Sequence, residues 1–312
     1  MKKHTFLSIL TFSSIALSGC NLDLGFIKFE SKPKEEQGEN QNNNQQSGDN
    51  GSGQQSGKTE AYDEAAQAQK IQEYYSTIDS SLSGDSLLSA LRTLNLGKRT
   101  KQAGYSAMGS VSGFVKFTDY DPATVKFTSN GVPYGTKILS FYSGKVATSF
   151  NREHVWPKSR GGDKVEDDIL MTRPTISAEN SDRGNSVYKT GMADDSAGWD
   201  PVTAFANDIG VYTAIRGECA RIIFYCMTAA TGLVLNENTS NNGNNMGVLT
   251  DLIEWACENP VNDREKRRNV GSQHVQGNRN AFVDHPEYAC KIWGTTNAKT
   301  KAACQKANYP TN

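Results

Sequence analysis

From Lys34 to Lys58 the chain is almost wholly Gln, Asn, Gly, Ser and Glu. Such a stretch buries too little apolar surface to offset the entropy of ordering it. The folded unit must therefore come from residues 62–312, and residues 20–61 read as a tether. As a flexible coil its low-complexity part spans roughly 25–30 Å, the width of a small domain. Upstream, Met1-Lys2-Lys3-His4 is a basic start, Phe6 to Leu17 is an apolar run, and Leu17-Ser18-Gly19-Cys20 is a lipoprotein-type processing box. The expectation is a signal peptide over residues 1–19 and an exported chain that begins at lipidated Cys20. It would be held at the cell envelope, on the outer membrane or cell surface, through that lipid.

With 312 residues, 36% of them hydrophobic, the chain can build a full core. Tyr62 to Tyr75, Leu87 to Leu96, Val211 to Thr231 and Leu249 to Glu258 have helical patterning. Val111 to Tyr120, Val125 to Thr128 and Ile138 to Tyr142 alternate as short strands, and Asn236 to Asn245 is an Asn-rich loop. The fold class is α+β, mostly helical with one small antiparallel sheet, in a single domain. Of six cysteines, Cys20 goes to the lipid and five remain, so at least one is unpaired within a monomer. Cys219 and Cys226 lie about 10 Å apart along a helix, too far to bridge. Cys290 with Cys304 is the most natural pair, although sequence does not fix connectivity.

Chemistry concentrates in Ser149-Phe150-Asn151-Arg152-Glu153-His154-Val155-Trp156-Pro157-Lys158-Ser159. The chain has only four histidines. His4 belongs to the leader, and His274 and His285 sit in a late, loop-like region, so proton transfer at neutral pH falls first to His154. Glu153 beside it offers the hard oxygen that Mg²⁺ prefers. Pro157 stops a strand there, the irregular end that two functional neighbours need. Downstream, Ser177 can cap a helix that places Asn180 and Arg183, three apart, on one face. An amide oxygen from Asn180 can add to a Mg²⁺ shell, and Arg183 can fork onto a phosphate. These residues point to hydrolysis of a phosphate ester.

The chain resembles the bacterial endonuclease I family of extracellular and periplasmic nucleases. The likeness covers roughly residues 74 to 294. It runs through Tyr74-Tyr75, Gly84-Asp85-Ser86-Leu87-Leu88, Asp119-Tyr120-Asp121-Pro122, the Glu153-His154 segment and Glu179-Asn180 to Asn185. It continues through Pro260-Val261-Asn262-Asp263, Gln276-Gly277-Asn278-Arg279-Asn280, Asp284-His285-Pro286-Glu287-Tyr288 and Ile292-Trp293-Gly294. The resemblance implies a ββα-metal core, with His154 as general base, Glu153 and Asn180 as metal ligands and Arg183 as a phosphate contact. It also implies products with 5′-phosphates. Where the family often shows His-Asn-Leu before Pro174, this chain has Leu170-Met171-Thr172, so that histidine's role is not carried over. Asp182-Arg183-Gly184-Asn185 looks like the Asp-Arg-Gly-His motif of sugar-nonspecific nucleases, but Asn185 cannot act as a base.

Lys and Arg total 33 against 34 Asp and Glu, which excludes a broadly basic face; any nucleic-acid surface must be local. Lys158 and Arg160, just after the Glu-His pair, are the first candidates, with Asn278 and Arg279 lining the same cleft. The run Arg264, Lys266, Arg267 and Arg268 fits a solvated helix face better. The expected protein is a monomeric, lipid-anchored endonuclease for DNA, with RNA as a further substrate. It uses Mg²⁺, or Mn²⁺ or Ca²⁺ as substitutes, and no organic cofactor. The alternative is a non-catalytic surface lipoprotein that captures nucleic acid or another polyanion; it would show a lost base or ligand, and all three are present.

Overall fold

The computed structural model describes residues 64–101, 103, 113–129, 131–194, 198–207, 214–238 and 243–311. The leader, Cys20 and the tether lie outside the described residues, as do Val111, Ser112 and residues 211–213. The helices are α1 (Glu64–Tyr74), α2 (Gly84–Lys98), α3 (Val115–Thr118), α4 (Ser177–Arg183), α5 (Pro201–Ala204), α6 (Ile215–Ala229), α7 (Leu249–Glu258), α8 (Asp263–Val275), α9 (Ala281–Asp284), α10 (Tyr288–Trp293) and α11 (Ala298–Lys306). The strands are β1 (Val125–Phe127), β2 (Pro133–Gly135), β3 (Ile138–Leu139), β4 (Val146–Ala147), β5 (Asn151–His154), β6 (Thr172–Thr175), β7 (Ala193–Asp194), β8 (Gly198–Trp199), β9 (Val234–Asn236) and β10 (Asn245–Val248). The fold is α+β and mostly helical. Its strands form separate two-stranded sheets rather than one, and the β9–β10 pair is parallel.

Helix α6 is the hub. Nearly all of its residues are buried, including Glu218 and Arg221, which are held in ion pairs with Arg264 and Glu265. Paired charges can be buried with the apolar residues around them, so the helix sits inside the protein. It packs against α2, which presents Leu87, Leu88 and Leu91, and against α7, which spans the expected Leu249–Glu258. Phe224 of α6 stacks on Trp293 and meets Phe282, drawing α9 and α10 onto the same core. The Cys290–Cys304 disulfide ties α10 to α11, while Cys219 and Cys226 are free and buried.

A second, smaller core of Phe114, Val115, Tyr120, Ile138 and Ile169 lies under α8. Here the expected strand over Val111 to Tyr120 is replaced, among the described residues, by the helical turn α3. Phe114 and Val115 are consecutive and both 0% exposed, which strand alternation does not allow on a one-sided sheet. Asp119 N–H instead donates back to Val115 O, closing a helical turn. The basic run in α8 is not a solvated face either. Arg264 is 1% and Arg268 0% exposed; Arg264 pairs with Glu218 at 2.7 Å and Arg268 pairs with Asp119.

Candidate active site

Strand β5 pairs antiparallel with β6, setting Glu153 opposite Arg173 and His154 opposite Thr172, and α4 follows β6 after one residue. After β5 the chain turns at once. Pro157 caps a short 3-10 turn, and Gly162 packs so tightly that a Cβ there would lie 1.9 Å from Trp156 O.

Helix α4 is held by a residue of its first turn rather than by a cap. Ile176 is the N-cap and supplies no side-chain bond, so Ser177 is the first helical residue and not the expected cap. The anchor is Glu179. Its carboxylate accepts from Ser140 Oγ, Ser143 Oγ and, at 3.2 Å, Thr175 Oγ1, while Ser140 Oγ accepts from Ile176 N–H at 3.0 Å. These bonds fasten α4 to β6 and to residues 140–143, which are themselves tied to β6 by Phe141 N–H donating to Pro174 O.

Glu153 faces inward and is 2% exposed. Tyr142 Oη donates to its Oε1 at 2.6 Å, and Arg183 Nε lies 3.3 Å from the same oxygen. Among the described residues no hydrogen bond reaches Oε2. Burial raises the Glu153 pKa above the ordinary carboxylate value, with Arg183 and Tyr142 opposing it. His154 is half-buried. Burial first, then the nearby Lys158 cation, lowers its pKa to about 4, so the imidazole is neutral at pH 7.

Arg183 is wholly buried, which corrects its expected contact with phosphate. Its Nη1 donates to Gly184 O at 2.8 Å and its Nη2 to Val155 O at 2.7 Å, and the guanidinium lies over the Tyr188 ring. Burial works against its charge, but Tyr188, Tyr142 and Glu153 outweigh that and hold its pKa above the ordinary value. Since Arg183 reaches β5, the face of α4 that carries it also turns Asn180 toward that strand. Asn180 is half-buried, and among the described residues its side-chain amide makes no hydrogen bond.

The expected substrate contacts divide. Lys158 is exposed and pairs with Glu166. Arg160 is buried, with Nε donating to Asn185 O at 2.5 Å and Nη1 to Asn245 O at 3.1 Å, so it braces loops. Asn278 is 0% exposed and bonded to Asn95, Tyr225, Gln276 and Ser272. Arg279 grips Asp284 through two bonds of 2.7 Å and Gln273 through a third. None of these three presents its side chain to a cleft, because each satisfies a buried partner that sequence does not reveal. Sequence reading also missed Tyr142, Tyr188 and Glu179. Only Glu179, next to Asn180 in the motif, carried any local signal.

Among the described residues, the group of three His, Cys, Asp or Glu atoms close enough to share an ion is Cys257, Cys290 and Cys304. Two of these form the disulfide, and sulfur is too soft for Mg²⁺. Glu153 and Asn180, by contrast, are hard oxygen donors with uncommitted atoms, which fits such an ion.

A family model described as Endonuclease I matches residues 98–287. An extracellular ribonuclease of Bacillus amyloliquefaciens is 33% identical over 232 residues, covering 68% of this chain and 75% of the relative. One of Bacillus subtilis (strain 168) is 32% identical over 231 residues, covering 67% and 75%. No solved structure matches significantly. The chain belongs to the endonuclease I family and is a hydrolase of phosphodiester bonds.

Proposed function

We propose that this chain is an exported, metal-dependent endonuclease that cuts DNA and RNA with little sequence preference, residues 62–312 forming its catalytic domain. RNA enters because both relatives are named as extracellular ribonucleases. The observation that carries the proposal is a half-committed carboxylate. Among the described residues, Glu153 is buried with every hydrogen bond on Oε1, and Asn180 keeps its amide uncommitted on the helix that Arg183 ties to the same strand.

Glu153 and Asn180 would hold Mg²⁺, or Mn²⁺ or Ca²⁺ in its place, which supplies positive charge to the scissile phosphate and the leaving oxygen. His154, neutral at pH 7, takes the proton from an attacking water. Lys158 can exchange Glu166 for a backbone phosphate. Arg183 acts through Glu153 rather than on the substrate. Cys20 carries the lipid that keeps the enzyme at the envelope, and no helix among the described residues is long and apolar enough to cross a membrane.

Non-catalytic capture of a polyanion is the weaker alternative, because it draws mainly on free basic surface. Arg160, Arg183, Arg264, Arg268 and Arg279 are spent on internal partners. The test is incubation of the purified chain with supercoiled plasmid and with a long RNA. Cleavage with Mg²⁺ that stops on adding chelator is expected. Binding without cleavage, or cleavage that continues in excess chelator, overturns the proposal.

A further inference from the structure

The geometry points to Tyr142 as a positioning residue for Glu153: its hydroxyl, backed by Tyr188, ties down Oε1 and so reserves Oε2 for the cation. This rests on the assignment of Glu153 as a metal ligand.

An ionised carboxylate only accepts hydrogen bonds, so the 2.6 Å contact to Oε1 uses the Tyr142 proton. The contact between Tyr142 Oη and Tyr188 Oη, at 2.9 Å, must then have Tyr188 donating. The bonds run one way, from Tyr188 to Tyr142 to Glu153. Arg183 Nε approaches the same oxygen. All three groups thus lie on one side of the carboxylate. A carboxylate turning about its last bond has two nearly equivalent ends, and one-sided contacts remove that equivalence.

The hydroxyls are also held in place. The Tyr142 ring sits edge-on to Trp199 at 4.8 Å and close to Phe141, and Tyr188 packs between Trp199 and Trp255. Both rings are 0% exposed. Tyr142→Phe therefore removes an oxygen and keeps the packing.

If Tyr142 merely satisfied a buried acceptor, its loss would lower stability and leave ion binding alone. The experiment titrates Mn²⁺ into wild type, Tyr142→Phe, Tyr188→Phe and Glu153→Gln, following heat and the Mn²⁺ magnetic resonance signal, with thermal melts in parallel. Loss of a bond that orients a ligand weakens ion binding about 10- to 100-fold, and that is the effect expected for Tyr142→Phe. Tyr188→Phe leaves the Tyr142 donor in place and should weaken it less. A folded Tyr142→Phe with wild-type Mn²⁺ affinity, beside a Glu153→Gln that binds none, overturns this inference alone. Wild-type affinity in Glu153→Gln overturns the ligand assignment as well. Should Tyr142→Phe fail to fold, Tyr188→Phe decides: weaker binding supports the inference and unchanged binding overturns it.

Discussion

Glu153 and Glu218 are both buried carboxylates facing arginine, yet their surroundings differ in one respect. Glu218 has both oxygens engaged: Oε1 by Arg173 at 3.4 Å, and Oε2 by Arg264 at 2.7 Å and by Asn262 Nδ2 at 3.3 Å. Burial alone would raise its pKa, but Arg264 and Arg173 overcome that and bring it down to about 2. Glu153 has one arginine and one tyrosine, both on Oε1, and burial wins, so its pKa is raised. One carboxylate is complete as it stands and locks α6 to β6 and α8. The other keeps one oxygen without a hydrogen bond among the described residues, the feature on which its proposed role as a metal ligand rests.

The largest effect that can break this contrast concerns chemistry. His154→Ala should lower plasmid and RNA cleavage by about 10²- to 10⁴-fold, the usual contribution of a general base, with melting unchanged. Undiminished cleavage would remove the imidazole from the mechanism. Next comes Glu218→Gln, which strands Arg264 and Arg173 and should cost about 3–5 kcal/mol in urea denaturation. Glu153→Gln should cost far less in the same measurement while abolishing cleavage. Equal losses of stability would show that the two carboxylates are both structural.

How much of this contrast was legible in the sequence depends on how far each contact reaches. Glu153-His154 and the spacing of Asn180 and Arg183 stood out because neighbours on a strand end and a helix face are local patterns. The α7 bounds and the Cys290–Cys304 pair were readable for the same reason. Arg264 finds Glu218 46 positions away, and Arg279 Nε reaches Asp284 from a turn. A row of charges at helical spacing looks solvated until its partners are known. Tyr142 reads as an ordinary aromatic at a strand end, since its hydroxyl matters only through Glu153, 11 positions on. Arg183 was found, but its direction was not; only the packed structure shows it turned inward.

Acid sharpens the comparison further. The folded-state pKa of Glu218 lies near 2 against an ordinary value of 4.5. Its contribution is therefore fully present above the unfolded value and is lost as pH falls toward 2. The loss is on the order of 3 kcal/mol, and urea midpoints between pH 5 and 2 would follow it. Glu153 works in the opposite sense. With its pKa raised, protonation favours the folded state, so Glu153→Gln should make the acid decline of the remaining protein steeper. A flat stability profile across that range in wild type would mean that the Glu218 cluster is not the complete ion pair described above.

The smallest effect tests what Glu153 is waiting for. An ion that binds only the folded chain adds about 2.7 kcal/mol when present at a hundred times its Kd. Adding Mg²⁺ should therefore raise the melting temperature of wild type and of His154→Ala alike, because the imidazole is not one of the proposed ligands. Glu153→Gln should show no such rise, since it replaces the carboxylate proposed to receive the ion. Glu218→Gln, although much less stable, should gain the same increment as wild type wherever it still folds, because its carboxylate was already complete without a metal. Stabilisation by Mg²⁺ that survives Glu153→Gln would place the ion elsewhere and leave the half-bonded carboxylate without a purpose.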